Sequence, residues 1–337
     1  MGETHSSSLG WTSWHDRLHR RLLLQPQLLP QGSPLLLAVS GGQDSMALLA
    51  LLQDLAPLHG WDLCLWHGDH RWHDGSSRIA TQLSAWCLQR QLPLQVDQAA
   101  PGQVPSEAKA RQWRYERLEQ RGREAGADVL TGHTASDRAE GVLMNMARGC
   151  AVQGLSNLRD VRPLNALSPD GPRLRRPLLQ FTRAETAAIC TDLQLPIWLD
   201  PSNDDQSLER NRIRHQVMPV LNELHPGCER RIARLSEQLS QVRDTHEGLC
   251  AIALKSLLDE SGLNRQQIRC LDDPTCRAVL AAWLKQERAP NINRQTLEDL
   301  SHRLRLGSGN GQRDLAKNWR IQWNRSTIRL QNIDAKP

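Results

Sequence analysis

Apolar residues along the first 150 positions fall alternately into short unbroken runs and longer stretches with helical spacing. Leu35-Leu36-Leu37-Ala38-Val39 is a run of strand length that ends at a glycine pair, and Met46, Leu48, Leu49, Leu51 and Leu52 follow at helical length. That order predicts strand, tight loop and helix. The unit recurs: Leu63-Cys64-Leu65-Trp66 predicts a second strand, 77–90 a helix, Leu92 to Val96 a third strand, 106–121 a helix, Val129-Leu130 a fourth strand and 136–148 a helix. Strands alternating with helices imply right-handed crossovers, so the fold class is α/β, a Rossmann-like parallel sheet with helices on both faces. Ligands on such sheets bind at the carboxyl ends of the strands.

Ahead of this pattern, residues 1–33 open polar and then carry an amphipathic stretch around Trp14, Leu18 and Leu22, a leading helix. Past residue 150 the alternation fades into a loop-rich segment with Arg173, Arg175, Arg176 and Pro177. A helix is expected at 182–194, a turn at Pro201 to Asn203, and helical character at 208–258, 275–287 and 294–306, with strand-like residues from Trp319 to Leu330. The length exceeds what one hydrophobic core usually fills. We therefore expect an extension at 1–33, the α/β domain at 34–215, a smaller mainly helical domain at 216–330, and a tail at 331–337.

Composition narrows the class. With 39% hydrophobic and 23% charged residues the chain has ordinary globular composition, outside the disordered range. No stretch reaches the ~18 uninterrupted apolar residues of a membrane helix, and we read neither a span nor a secretion signal. The eight cysteines contain no C-x-x-C pair, which argues against a zinc site, an iron–sulfur cluster or a disulfide scaffold and for reduced thiols in the cytoplasm. The net charge of +5 is modest, yet only Lys109, Lys255, Lys285, Lys317 and Lys336 among 42 basic side chains are lysine. Arginine suits phosphate forks and base stacking, although a GC-rich coding sequence would give the same bias.

A strand that ends in two glycines and enters a helix directly lets backbone amides close on a phosphate, and the helix N-terminus adds about half a positive charge. Ser40-Gly41-Gly42-Gln43-Asp44-Ser45 has that placement. Ser40 and Ser45 offer hydroxyls to the same oxygens, and Asp44 suits the Mg²⁺ that accompanies a triphosphate. The Walker ending is missing. For the loop taken alone, a glycine turn with an ordinary helix cap is the alternative. In full, Ala38 to Ser45 resembles the SGGxDS signature of the PP-loop ATP-pyrophosphatase superfamily. The resemblance implies ATP and Mg²⁺ as cofactors, cleavage between the α and β phosphates, and adenylation of a substrate oxygen.

Further segments narrow the resemblance. Glu107-Ala108-Lys109-Ala110-Arg111, continuing to Arg114-Tyr115, sets Glu107, Arg111 and Arg114 on one helix face. Thr131-Gly132-His133-Thr134-Ala135-Ser136-Asp137-Arg138-Ala139-Glu140 follows the fourth strand, and Asp137 and Glu140, three apart on one face, suit an ammonium group. His67-Gly68-Asp69-His70, Leu199 to Asn203 and Arg210-Asn211-Arg212-Ile213-Arg214 complete the set. Singly, a solvated basic face, a polar lining histidine or a plain turn explains each. In this order and spacing they resemble the tRNA(Ile)-lysidine synthetase family. The chain departs from that pattern at Ser136 and Gly141, where Asp and Thr are usual, and at Arg71, Trp72 and His73, where Gly, Leu and Arg are usual.

The resemblance is strong to residue 215 and weaker to 330, and it implies that the domain at 216–330 binds tRNA or substrate. It implies a catalytic set of Asp44, Arg111, His133, Asp137 and Glu140, with the nucleotide on Ser40 to Ser45 and Mg²⁺ at Asp44. It implies contacts to tRNA and lysine from Glu107, Arg114, Asp137, Glu140, Arg210, Asn211 and Arg214. The implied reaction joins free L-lysine to C2 of the wobble cytidine of the CAU-anticodon isoleucine tRNA, through an adenylated cytidine, releasing pyrophosphate and AMP. The partners would be tRNA and lysine in the cytoplasm, with no membrane and a homodimer left open, in a short form without the further C-terminal domain of longer members. With Tyr115 and Phe181 its only tyrosine and phenylalanine, the chain leaves a base-stacking platform to tryptophan. Trp72 and Trp113 are candidates by position, core packing being the commoner role. The rivals are a tRNA thiolase, an amino-acid or nucleotide synthetase, and a non-catalytic RNA-binding protein with a relict ATP loop. The missing C-x-x-C pairs oppose the first, the E-A-x-A-R and R-N-x-x-R elements the second, and Ser40, Asp44, Arg111, His133 and Asp137 the third.

Overall fold

A computed structural model describes residues 10–71, 74–156, 158–199, 205–290, 292–307 and 309–333. The chain forms two compact units, 1–240 and 241–337. The divide falls inside helix α10 (Cys228–Leu257), downstream of the change of character at 215.

The first unit begins with α1 (Ser13–Leu24), whose Leu18 and Leu22 are buried. The expected alternation then appears: β1 (Pro34–Ala38), α2 (Gln43–His59), β2 (Asp62–Asp69), α3 (Asp74–Gln89), β3 (Leu94–Gln98), α4 (Glu107–Glu124), β4 (Asp128–Leu130) and α5 (Ala135–Ala147). A short helix α6 (Val152–Leu155) precedes two strands that the periodicity did not predict, β5 (Val161–Pro163) and β6 (Arg173–Arg175). They complete a six-stranded sheet of order β3-β2-β1-β4-β6-β5, parallel except for β5. The parallel α/β class therefore stands, with one antiparallel edge.

The unbroken apolar run of β1 follows from its central position. Leu35 and Leu37 join one buried cluster with Met46, Leu49 and Leu52 of α2. Leu36 points the other way, into a cluster with Trp66, Trp113 and Leu118. Strand order steps outward from β1 to β2 and β3, then returns to β4 on the other side of β1. The order of strand addition thus reverses between β1 and β4, which run parallel, and such a switch point leaves a crevice at the strand carboxyl ends. The two motif loops, 40–45 after β1 and 131–134 after β4, flank that point.

The unit continues through α7 (Arg183–Asp192), α8 (Glu209–Arg212), a π-helical turn at Ile213–Val217, α9 (Met218–Leu224) and the first part of α10. The second unit holds the rest of α10, α11 (Arg265–Cys270), α12 (Asp273–Gln286) and α13 (Arg294–Leu306). It also carries an antiparallel sheet of β7 (Leu258–Asp259), β8 (Gly262–Asn264), β9 (Gly311–Leu315), β10 (Trp319–Trp323) and β11 (Thr327–Asn332), in order β7-β8-β11-β10-β9. The sequence hinted at that sheet only around 319–330. Its core includes Arg265, 1% exposed, which donates to the carbonyls of Leu304, Gly307, Gly309 and Asn324.

Candidate active site

The loop after β1 is built by its own hydroxyls. Ser45 Oγ donates to the Gly42 carbonyl (2.8 Å) and lies 3.1 Å from Ser40 Oγ, while the Ser40 amide donates to Ser45 Oγ (3.2 Å). Gly41 adopts φ +85°, and a Cβ there would meet Trp198 Cε3 at 3.2 Å and Ile79 Cγ2 at 3.3 Å, so glycine is required twice over. Gly42 begins α2 with no side-chain cap. The first amides of α2 and its dipole therefore face the crevice, the arrangement that binds a phosphate. Gln43 is in the loop, but its side-chain amide donates to the Arg183 carbonyl (2.8 Å) and to Thr186 Oγ1 (3.1 Å), which ties the loop to α7.

Asp44 opens α2 beneath this loop. It accepts a short hydrogen bond from Thr186 Oγ1 and lies 3.2 Å from Arg183 Nη2. Burial raises its carboxyl above the usual range, with Asp137 acting the same way against Arg183 and Thr186. Gly132, after β4, packs directly on this backbone: a Cβ on it would sit 2.8 Å from the Asp44 carbonyl oxygen.

The next turn of that segment carries the acids. Thr134 and Asp137 cap α5 reciprocally, the Thr134 amide donating to Asp137 Oδ2 at 2.7 Å. Asp137 Oδ1 lies 2.8 Å from Arg210 Nη2 and 3.4 Å from Arg183 Nη2. Glu140, one turn on, accepts from Arg210 Nε (2.8 Å), Arg214 Nε (2.8 Å) and Arg214 Nη2 (2.9 Å). The π-helical turn contains Arg214, and with α8 just before it delivers both arginines to one carboxylate. Asp44, Asp137 and Glu140 thus face Arg183, Arg210 and Arg214, three charges against three. Burial alone would raise the Asp137 carboxyl, but Arg210, His133, Arg183 and the Thr134 amide hold it well below the usual range.

His133 lies at the rim, its Nδ1 2.8 Å from Thr131 Oγ1. Burial first, then Arg176, Arg210 and Arg111 against the opposing Asp137, bring it down to about 3. It is a neutral imidazole at physiological pH, suited to hydrogen bonding and not to carrying charge.

Other sequence-selected residues have structural partners. Arg114 reaches His70 Nε2 from both Nε (3.3 Å) and Nη2 (3.0 Å). His67 is bonded to the Val39 carbonyl (2.8 Å), and Asp69 accepts from Ser77 Oγ (2.8 Å) and the Arg71 amide (2.9 Å), which fixes the end of β2. Asn211 donates to the Asp205 carbonyl (3.0 Å). Glu107 is exposed on the first turn of α4, within electrostatic range of Arg210. Trp113 is buried core, 5% exposed. Trp72 and the segment from Asp200 to Asn203 lie outside the described residues. At the departure Ser136, the hydroxyl accepts the Arg183 amide (2.8 Å) and so caps α7.

Sequence reasoning missed Arg183 and Thr186, which bring α7 onto Asp44. The available signal was the capping box of Thr182 and Glu185, which places Arg183 at the first turn of a helix and aims it at the crevice.

The PP-loop domain family model matches residues 16–221. The chain is 56% identical over 331 residues to a tRNA(Ile)-lysidine synthase of Parasynechococcus marenigrum, covering 98% of each chain. It is 41% identical over 330 residues to a tRNA(Ile)-lysidine synthase of Prochlorococcus marinus, covering 96% of this chain and 97% of that one. Among solved structures it is similar to a U34-tRNA thiolase of Methanococcus maripaludis with its [4Fe-4S] cluster, at TM-score 0.56 and 18% identity over 68% of this chain and 79% of that one. That likeness is one of fold. The eight cysteines here are free, and among the described residues no three histidine, cysteine or acidic groups gather into a metal site.

Proposed function

The chain belongs to the tRNA(Ile)-lysidine synthase family of PP-loop enzymes, and we propose from that premise how its crevice joins lysine to the wobble cytidine of the isoleucine tRNA. ATP adenylates the C2 oxygen of the cytidine and pyrophosphate leaves. The lysine ε-amine then attacks C2, and the C–O bond breaks to release AMP. Adenylation is needed because the C2 oxygen is a very poor leaving group by itself.

The observation that carries this reading is the seating of the two motif loops on either side of the β1/β4 reversal, with Gly132 against Asp44. The amides at the start of α2 and the hydroxyls of Ser40 and Ser45 take the ATP phosphates. Asp44 is the residue that would hold Mg²⁺ together with phosphate oxygens, since Mg²⁺ commonly takes one or two carboxylates and completes its shell from substrate. The ion supplies charge neutralisation on the departing pyrophosphate. Arg183, paired with Asp44, is placed to take up charge on the same side.

Lysine is assigned to Asp137 and Glu140. Both are occupied by guanidinium groups, so the amino acid enters by exchange, and Arg210, whose side chain is 34% exposed against 14% for Arg214, is the group that gives way. Neutral His133 is suited to orient the amine by hydrogen bonding. Among the described residues no helix is long and apolar enough to cross a membrane, which fits work on tRNA in the cytoplasm. The test is incubation with ATP, Mg²⁺, the labelled amino acids and unmodified isoleucine tRNA. Lysine alone should become tRNA-bound, with one AMP and one pyrophosphate per event. Attachment of another amino acid, or ATP turnover with none attached, would overturn the reading.

A further inference from the structure

Tyr115, half-buried on α4, has three guanidinium groups around it. Arg111, one turn earlier on the same helix, places its Cζ 4.9 Å from the ring centroid, and Arg162 of β5 places its own at 5.4 Å. Arg176, immediately after β6, lies close enough to the Tyr115 side chain to act on its hydroxyl. Among the described residues none of the three forms an ion pair with a carboxylate. This separates Arg176 from the other buried arginines of its unit: Arg21 pairs with Asp160, Arg138 with Asp160 and Glu237, and Arg175 with Asp128. Arg176 is 2% exposed, donates from Nη1 to the Arg159 carbonyl (2.8 Å), and keeps a buried Nε without a partner. Among the described residues Arg162 donates only to the carbonyls of Pro163 and Leu164.

Three like charges gathered without a counter-charge repel one another, and a buried guanidinium without one is costly. The strain shows at the neighbours. Burial would raise the Tyr115 hydroxyl, yet Arg111, Arg176 and Arg162 bring it below its usual value. Burial brings Arg176 itself down to about 10, Arg162 and Arg111 acting in the same direction. The cluster borders His133, which also responds to Arg176 and Arg111. By contrast, Arg183, Arg210 and Arg214 are already neutralised by Asp44, Asp137 and Glu140.

We propose that Arg111, Arg162 and Arg176, gathered on Tyr115, form a phosphate-binding subsite beside His133, separate from the loop at Ser40 to Ser45. A phosphate oxyanion supplies the missing negative charge and matches the planar donor forks of arginine. Two substrates of the proposed reaction carry that group: the RNA, as a phosphodiester next to the reacting nucleotide, and ATP. The inference rests on the function proposed above.

The test uses the full chain and Arg162→Gln, a position at the edge of the cluster, with Arg162→Lys as the charge-retaining variant. Affinity for unmodified isoleucine tRNA is measured without ATP at several salt concentrations, and affinity for ATP is measured without RNA. With the phosphodiester as ligand, Arg162→Gln binds tRNA about tenfold more weakly, the slope of log K against log salt becomes shallower by about 0.7–0.9, and Arg162→Lys keeps the slope. With a phosphate of ATP as ligand, ATP affinity falls about tenfold instead. If both affinities stay within about twofold of wild type in a folded Arg162→Gln protein, the subsite is overturned. Wild-type protein that attaches no lysine would sink the proposed function alone, because the ATP arm still reads the subsite.

Discussion

Gly132 lies so close to the backbone of Asp44 that a Cβ in its place would come within 2.8 Å of the Asp44 carbonyl oxygen and 3.0 Å of the Ser45 amide nitrogen. Neither neighbour is the end of a flexible side chain, so the loop after β1 or the loop after β4 must shift to admit even a methyl group. Gly132→Ala is therefore expected to cost about 1–3 kcal/mol of stability, the usual range for overpacking. It should also lower ATP-dependent pyrophosphate release by at least tenfold. Urea unfolding read beside the release assay checks both, and wild-type values in each would show that the two loops are not coupled through this contact.

Asp44→Asn keeps the shape of the side chain and removes its charge. Pyrophosphate release should fall to background while tRNA affinity stays within a few-fold, since RNA binding comes from dispersed basic contacts. Filter binding and a coupled pyrophosphate assay distinguish this from a general loss of structure, in which both would fail.

Glu140 is 1% exposed, and Arg214 makes two of the three hydrogen bonds it accepts from arginine side chains. Removing one partner of a buried pair leaves the other charge unmatched, typically at about 3–5 kcal/mol. Because Arg210 still pairs with Glu140, Arg214→Met should lose somewhat less, about 2–3 kcal/mol, in chemical denaturation. A change under 0.5 kcal/mol would mean that Arg214 is held by something other than Glu140.

His133 gives a pH signature. Its folded value is about 3 against an unfolded value near 6.5, so the unfolded chain binds the proton first. Its contribution is fully present above pH 6.5 and is lost as the pH falls from there toward 3. The slope attributable to this one group is at most about 1.4 kcal/mol per pH unit. Asp137, with a depressed folded value, acts in the same sense but only below its unfolded value near 3.9. Between pH 4 and 6.5 the stability profile of His133→Gln should therefore be flatter than that of wild type. Parallel profiles would place a charged imidazole at this position.

What the sequence revealed and what it hid follow physical lines. The β1 strand, its loop and α2 were legible because a doubly covered strand reads as a continuous apolar run and because a glycine pair between it and a helical stretch marks a tight turn. Asp137 and Glu140 were legible as a pair because helical spacing sets them on one face. Their arginine partners lie 46 or more positions later in sequence, and the motif around Arg210 and Arg214 carried no indication that a π-helical turn would bring both to Glu140. The strands β5 and β6 were not legible at all. Each is three residues long and contains arginine, and Arg175 is buried only because Asp128 and the carbonyls of Gln27 and Leu28 receive it. Tertiary partners of that kind have no local signal, and the cluster around Tyr115 depends on them.

In the proposed reaction the amine meets the adenylated cytidine at Asp137 and Glu140, and Glu140→Gln probes that placement. Kinetics with tRNA, ATP and varied lysine should show the lysine KM raised roughly ten- to a hundredfold, the worth of one charge-assisted hydrogen bond of ~1.5–3 kcal/mol. The ATP KM should change little, and pyrophosphate release on tRNA without lysine should survive, because that half-reaction needs no amine. Loss of adenylation with an unchanged lysine KM would instead assign Glu140 to the ATP side of the crevice and remove it from the amine site.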